Sequence, residues 1–307
     1  MSGADLAKLT VVVPAWNTRE LLLDCLASLE SARGRGAEIV VVDDASTDGS
    51  ADAVSHVFPR AVLVRCSENR GFAAAIHAGV ARATREYLLL LNADTRVEEG
   101  ALERMLEFLE AAPEHGACAP RLVDASGATQ RACMRFPNLW TPLFFSTPLQ
   151  RWWPKSTELE RYFYADFDHE HDADVEQPPA AALMMRREEF EALGGLDEDL
   201  RLFFNDVDLC QRLARRGRKI RYLAGARVMH HGGASTRQLS DFAARWHADR
   251  LAYTRKHHGA LAGLWVKLCT SFTWVDHVVR TLIARARGVR AEPLAPLCRA
   301  FGAYLRS

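Results

Sequence analysis

The chain has 307 residues, 49% apolar and 25% charged, which is ordinary for a globular protein and enough for one large α/β domain or two smaller ones. Lys plus Arg and Asp plus Glu balance at 39 each, so net charge makes no case for nucleic-acid binding. The 7 cysteines are scattered without a C-x-x-C pair, which argues for reduced thiols in a cytosolic setting. The apolar run Leu9 to Val13 is too short for a signal peptide and Pro14 ends it, and no run is long enough to span a bilayer.

Leu9 to Val13 is apolar and β-branched, the pattern of a buried first strand. Pro14, Ala15, Trp16 and Asn17 follow. Asn17 reads as a helix N-cap, with Glu20 as its capping-box partner, and Leu22, Leu26 and Leu29 mark one helical face. Ile39 to Val42 forms a second strand. It runs into Asp43, Asp44, Ala45, Ser46, Thr47 and Asp48, a stretch dense in cap and turn formers, before a helix bearing Ala51, Val54 and Val57. A third strand covers Ala61 to Arg65, Asn69-Arg70-Gly71 turns the chain, and a helix covers Phe72 to Ala83. Leu88 to Leu91 is a fully buried strand that stops abruptly at Asn92, Ala93 and Asp94. A helix with Leu102, Met105, Leu106 and Leu109 facing inward is ended by Pro113.

This alternation predicts an α/β fold with a mostly parallel central sheet flanked by helices. Parallel strands put their carboxyl ends on one side, so Pro14 to Asn17, Asp43 to Ser46 and Asn92 to Asp94 mark one crevice. Asp94 is a hard oxygen ligand of the kind Mg²⁺ or Mn²⁺ takes when it also holds a diphosphate; the plainer reading is a turn with an Asx cap. No G-x-G-x-x-G follows the first strand and no G-x-x-x-x-G-K-[ST] occurs, which disfavours a dinucleotide dehydrogenase and a P-loop NTPase.

From Arg131 to Asp174 the periodicity breaks down and aromatics crowd in, among them Trp140, Trp152, Trp153, Tyr162 and Phe167. They read as a loop clamped onto the sheet, or as an acceptor-facing wall. Asp166, Asp168, His169, Glu170, His171, Asp172 and Asp174 lack metal-ligand spacing and read as a solvated acidic loop. Ala180 to Met185 is a small apolar strand, Arg186 to Leu193 a short helix, and Gly194-Gly195 its stop. Phe203, Phe204, Asn205, Asp206, Val207, Asp208 then open a helix. Asp206 at its N-terminus is either a plain cap or a general base kept ionised by the helix end. Lys219 to Leu223 is a strand. The run Ala226 to Thr236 follows, with His230, His231 and the pair Gly232-Gly233, which lets backbone approach a phosphate. Residues 238–307 are helical in pattern. Leu261 to Ile283 is apolar but interrupted by Lys267, Asp276, His277 and Arg280, so it reads as a helical cap, a homodimer contact or a segment lying at a membrane face.

Val-Val-Val-Pro-Ala-Trp-Asn, Val-Val-Asp-Asp-Ala-Ser-Thr-Asp-Gly-Ser, Asn69-Arg-Gly-Phe and Leu-Leu-Asn-Ala-Asp-Thr, in that order, resemble family 2 glycosyltransferases of the GT-A fold. The pattern is most similar to the rhamnosyltransferase-like members and covers roughly residues 9 to 236. The resemblance implies a nucleotide-sugar donor site built from Pro14, Ala15, Trp16, Asn17, Asp43, Asp44, Ser46, Asn69, Gly71, Asn92, Ala93 and Asp94. Asp43 matches the base-contacting aspartate. Asp94 matches the metal-binding end of the D-x-D motif, whose first position here is Asn92. Asn205-Asp206-Val207-Asp208-Leu209 resembles the family's E-D-x-D-L segment, with Asp206 at the catalytic base and Phe204, Asn205 and Asp208 on the acceptor side. His230 matches a metal or diphosphate ligand, with His231 as the fallback.

The implied activity is an inverting, metal-dependent glycosyltransferase. It would move a sugar, L-rhamnose among the candidates, from a nucleoside diphosphate to a hydroxyl of a glycan or lipid-linked acceptor, with Mg²⁺ or Mn²⁺ as cofactor. The expected organisation is a nucleotide-sugar-binding half (1–125), an acceptor-binding and catalytic half (126–237) and a C-terminal helical extension (238–307). The expected location is cytoplasmic, with peripheral contact at the inner face of the cell membrane. Two alternatives stand beside it: a sugar nucleotidyltransferase, for which a Gly- and Arg-rich loop after strand one is missing, and a non-catalytic nucleotide- or glycan-binding module.

Overall fold

Runs of Val and Leu with no polar interruption can be buried on both faces, and such runs build the centre of the molecule. In a computed structural model that describes residues 4–200, 202–232, 242–288 and 294–306, β1 (Leu9–Ala15) leads into α1 (Arg19–Gly34), β2 (Glu38–Asp43), α2 (Ser50–Val57), β3 (Val62–Arg65), α3 (Phe72–Val80) and β4 (Tyr87–Leu91). β5 (Thr95–Val97), α4 (Ala101–Ala111) and β6 (His115–Val123) follow. Three short helices come next: α5 (Thr141–Phe144), α6 (Pro148–Trp152) and α7 (Thr157–Tyr162). The chain continues through β7 (Ala173–Val175), β8 (Ala182–Arg186), α8 (Arg187–Ala192), α9 (Asn205–Arg215) and β9 (Lys219–His230). It closes with α10 (Phe242–His258), α11 (Ala260–Ala286) and α12 (Leu294–Arg306). Gly233, Ser235, Thr236 and residues 238–241 lie outside the described residues.

Two compact units emerge, one of residues 4–134, 167–200 and 205–232, the other of 135–166, 202–204, 242–288 and 294–306. The first holds the sheet. Its strand order is β3-β2-β1-β4-β8-β6-β9-β5, with β7 paired to β9. β3, β2, β1 and β4 run parallel, with Ala15 opposite Asp43 and Val12 opposite Leu90. β8 runs antiparallel to both β4 and β6, and β6 runs parallel to β9. The core packs Val11 and Val13 of β1 with Leu89 and Leu91 of β4, against Leu22, Leu26 and Leu29 of α1 and Leu102, Met105, Leu106 and Leu109 of α4. These are the helical faces read from the sequence.

The differences have local causes. Asn17 does not cap α1. Thr18 occupies the cap position without a side-chain bond, while Asn17 adopts φ 51° and its Oδ1 accepts from Thr47 N at 2.8 Å. The cap comes from across the crevice, where Asp48 Oδ2 accepts from Arg19 N at 2.9 Å. β9 runs unbroken from Lys219 to His230, because its register against β6 shifts between Pro120 and Arg121 and absorbs Ala224, Gly225 and Ala226. The acidic segment is not simply solvated. Asp174 lies in β7 and meets His115 Nε2 at 2.9 Å, Arg221 at 3.0 Å and Lys219 at 3.3 Å. Asp172 accepts from Ala224 N at 2.8 Å, and His169 is fully buried. Burial alone would raise the Asp174 carboxyl, but the bonds from His115, Arg221 and Lys219 outweigh it and hold it at about 2.

The second unit is helical. Leu251, Val266 and Tyr304 join α10, α11 and α12, and Trp246 lies edge-on to Phe145 with ring centroids 5.7 Å apart. Arg250 is buried over the Trp246 ring at 4.8 Å and donates to Thr270 Oγ1 at 2.7 Å.

Candidate active site

Three of the clusters expected at strand ends do fall on one edge of the sheet, because β1, β2 and β4 are parallel and end at Ala15, Asp43 and Leu91. The crevice loops are tied to one another. Asn17 N donates to Ser46 Oγ at 3.0 Å, and Asp44 N donates to Ala15 O at 2.9 Å. Pro14, Trp16 and Asn17 are half-buried and Asn69 is exposed. Asn17 and Ala45 both hold positive φ, a cost of about 1–3 kcal/mol each that the surrounding bonds must sustain.

Asp43 and Asp44 are adjacent and nearly inaccessible, yet differ in partners. Asp44 accepts from Arg70 N at 3.1 Å and Gly71 N at 3.0 Å, so it shapes the loop that carries Asn69. Burial raises its carboxyl above the ordinary value, and those two backbone bonds oppose the rise. Gly71 sits at φ 90° and ψ 175°, a backbone open to glycine, and caps α3. Asp43 Oδ1 is buried with no hydrogen-bond partner among the described residues. A buried acceptor left unmet is expensive and calls for a donor from a ligand or an ordered water.

The Asn92-Ala93-Asp94 turn is braced from beneath. Thr95 Oγ1 donates to Asn92 O at 2.7 Å, and the buried Cys25 thiol lies 3.8 Å from the same oxygen. Burial pushes that thiol up to about 12, so it packs rather than reacts. Thr95 pairs with His230 across β5 and β9, which sets the imidazole beside the preceding carboxylate: His230 Nε2 is 3.5 Å from Asp94 Oδ1. His231 is exposed and contributes its backbone N–H to Asp94 O at 3.0 Å.

Gln130 determines how His230 presents itself. Its Nε2 donates to the His230 carbonyl at 2.6 Å, which turns its Oε1 to the ring Nδ1 at 3.1 Å. Nδ1 therefore carries the proton, and Nε2 faces the Asp94 carboxylate with its lone pair in the neutral ring. Two acceptors held face to face suit a shared cation: neighbouring ligands each about 2.1 Å from one octahedral metal stand roughly 3 Å apart, so the pair at 3.5 Å needs only a small approach. Among the described residues no group of three or more His, Cys, Asp or Glu converges as a metal cage.

Asp206 reaches the same neighbourhood through the two residues that precede β8. Its Oδ2 accepts from Ala180 N at 3.3 Å, and the next residue's carbonyl, Ala181 O, accepts from Asn92 N at 2.9 Å. α9 starts at Asn205, so Asp206 lies within the first turn rather than capping it, and its Oδ1 accepts from Val207 N at 2.8 Å. The helix end was expected to favour the ionised form. Asp206 is half-buried, and the desolvation this brings prevails and raises the carboxyl, against the bonds from Val207 and Ala180. Asp208 is fully buried and paired with Arg212 at 2.6 Å; Arg212 also donates to Leu193 O and Gly195 O, so Asp208 ties α9 to that turn. Asn205 is buried, with its amide nitrogen 3.5 Å from Leu200 O. Phe204, at φ 61°, packs on Trp246 and Tyr253 in the helical unit. Asp94, Asp206 and His230 thus share one unit. Gln130 and Ala180 carry no motif that would have revealed them.

A parallel sheet with an acidic crevice at its carboxyl edge, continued by mixed strands, is the GT-A glycosyltransferase fold. A mannosyltransferase from Pyrobaculum calidifontis, in complex with GDP-Man and Mn²⁺, aligns with TM-score 0.56 and 21% identity over 97% of this chain and 80% of its own. GalNAc-T7, solved with UDP, GalNAc and Mn²⁺, aligns with TM-score 0.55 and 18% identity over 73% of this chain and 43% of its own. Residues 10–179 match glycosyl transferase family 2, and the chain belongs to that family. It is 25% identical over 264 residues to an N-acetylglucosaminyl-diphospho-decaprenol L-rhamnosyltransferase of Mycobacterium tuberculosis, covering 82% of this chain and 85% of that one. A pre-mycofactocin glycosyltransferase of Mycobacterium tuberculosis is 28% identical over 246 residues, 80% of this chain and 46% of its own.

Proposed function

We propose that this family 2 glycosyltransferase is an inverting enzyme that moves a sugar from a nucleoside diphosphate to a hydroxyl of a lipid-linked or growing glycan. L-rhamnose is the favoured sugar and a diphospho-polyprenol-linked saccharide the favoured acceptor, by likeness to the rhamnosyltransferase that spans most of this chain. The observation that carries the reading is the pairing of Asp94 and His230 at 3.5 Å, with Asp206 tied to the same strand ends through Ala180.

Asp43 receives an N–H of the base on its unmet Oδ1, which suits a pyrimidine N3–H or a guanine edge. Pro14 to Asn17 and Ser46 frame the nucleotide. Asp44 and Gly71 hold the loop that brings Asn69 to it, and Asn92 and Ala93 face the sugar. Asp94 and His230 would hold Mg²⁺ or Mn²⁺, which when bound would supply charge neutralisation for the departing diphosphate. Asp206 accepts the proton of the attacking hydroxyl. Its raised carboxyl makes it a stronger base than an ordinary aspartate, and above that raised value it is ionised and ready. Asp208 acts through Arg212 by fixing α9, and so the position of Asp206.

Turnover is tested by offering a panel of nucleoside diphosphate sugars, an L-rhamnosyl donor included, with a polyprenyl-diphosphate-linked acceptor. Transfer that stops on addition of EDTA and returns with Mn²⁺ or Mg²⁺ is expected. Donor hydrolysis or transfer that persists in EDTA would overturn the metal role. Binding without any turnover would favour a non-catalytic module.

A further inference from the structure

An amphipathic helix ordinarily buries its large apolar side chains and exposes its polar ones. α11 does the reverse. Its buried face consists of small groups, with Ala262, Gly263, Val266, Cys269 and Thr270 inward. Gly263 allows a close approach, since a Cβ there would meet Arg255 Cγ of α10 at 2.6 Å. Trp265 and Trp274 pack within the unit, but a row of large aliphatic residues points out. Leu261, Leu264, Leu268, Val275, Val279 and Leu282 are between 47% and 84% exposed. Leu261, Leu268, Val275 and Leu282 recur every seven residues, so they form one stripe along the helix. Phe272 extends it to the exposed Trp152, whose ring centroid is 6.2 Å away, and Trp153 and Trp140 of the same unit are exposed as well.

Charge says what covers this face. The chain is neutral as a whole, yet residues 135–166, 202–204 and 240–307 carry fifteen Lys and Arg against seven Asp and Glu. α11 itself carries Lys267, Arg280 and Arg285 and a single acid, Asp276, already paired with Arg151 at 3.1 Å and Arg280 at 2.7 Å. A second copy laid along the stripe would bring basic flank to basic flank with no unengaged acid on α11 to meet it. A surface that is apolar inside and anionic outside meets both requirements, and exposed tryptophans are suited to the boundary layer. No helix among the described residues is long and apolar enough to cross a membrane, so the contact is in the plane of the surface.

We propose that the helical unit docks on an anionic lipid surface through the outward stripe of α11, with Trp152 and Trp153 at its margin. This stands on the helix and its charge, independently of the transferase reading. The test is co-sedimentation of the full chain with phosphatidylcholine vesicles, with and without phosphatidylglycerol. Binding is expected with phosphatidylglycerol, weakened about tenfold or more by high salt, as screening of a basic surface requires. The pair Leu268→Glu and Val275→Glu should reduce binding at least about tenfold while leaving the circular dichroism spectrum and melting temperature unchanged, as exposed sites allow. Trp152→Ala with Trp153→Ala should produce a smaller loss and serves as a second, milder probe. Absence of vesicle binding would overturn the proposal. So would binding unaffected by the glutamate pair, or a concentration-dependent dimer in light scattering that the glutamate pair abolishes without vesicles.

Discussion

The two units break the usual rule of apolar inside and polar outside in opposite directions. The sheet unit buries charged groups at its carboxyl edge: Asp43, Asp44, Asp94 and Asp208 are each under one-tenth exposed. Asp44 and Asp208 have their bonds met within the protein, whereas Asp43 Oδ1 has no hydrogen-bond partner among the described residues. The helical unit instead leaves large apolar groups uncovered along α11. A buried polar atom without a partner and an exposed apolar stripe are both costly in isolation. Each points to a missing partner, and the two kinds of cost separate a polar ligand site from an apolar docking face.

That contrast is sharpened most by removing the base. Asp206→Asn should cut transfer by roughly a thousandfold while donor affinity stays within about twofold, because proton removal is a transition-state contribution. Comparable turnover by the variant would take Asp206 out of the reaction. Next comes Gln130→Leu, which frees the His230 tautomer. Mn²⁺ affinity in the presence of a nucleoside diphosphate should fall about 10- to 100-fold, read by electron paramagnetic resonance. An unchanged titration would show that the ring needs no such support.

The acid limb of the rate profile offers a further check. Asp206 is raised by desolvation, so kcat/KM, which reports the free enzyme, should decline about tenfold per pH unit below an apparent value that lies above the ordinary 3.8. A limb at or under that value would contradict the raised carboxyl. The smallest effect is expected at Asp174, whose side chain is 38% exposed. Asp174→Asn should cost about 1 kcal/mol near neutral pH, discounted for solvent screening. The folded carboxyl is depressed, so its contribution is present above the ordinary 3.8 and is lost as pH falls to about 2. Urea titrations of the two proteins should converge there, and a gap that survives at low pH would point to packing instead.

How much of this was legible from residues alone follows from the kind of signal each feature leaves. β1, β2 and β4 are continuous apolar runs and were plain. β6 was invisible, since His115, Gly116 and Pro120 spoil every strand signal although the segment lies between β8 and β9. β5 is too short to show periodicity, and β7 hides in an acidic run because its charges are met by β6 and β9. At the site, Asp43, Asp94, Asp206 and His230 stood out by motif order. Gln130 did not, being 100 residues from the histidine it orients. Nor did the Ala180 N–H, because backbone donors leave no mark in side-chain identity. Asn17 misled, since a residue suited to capping its own helix bonds the loop opposite.

The most direct test of the central claim is calorimetric titration of a nucleoside diphosphate with Mn²⁺ into the wild-type chain and into Asp94→Ala, His230→Ala and Asp206→Asn. If Asp94 and His230 share the cation that the diphosphate needs, the first two variants lose metal-dependent binding while Asp206→Asn retains it and transfers nothing. Full metal-dependent binding in Asp94→Ala and His230→Ala would contradict the account.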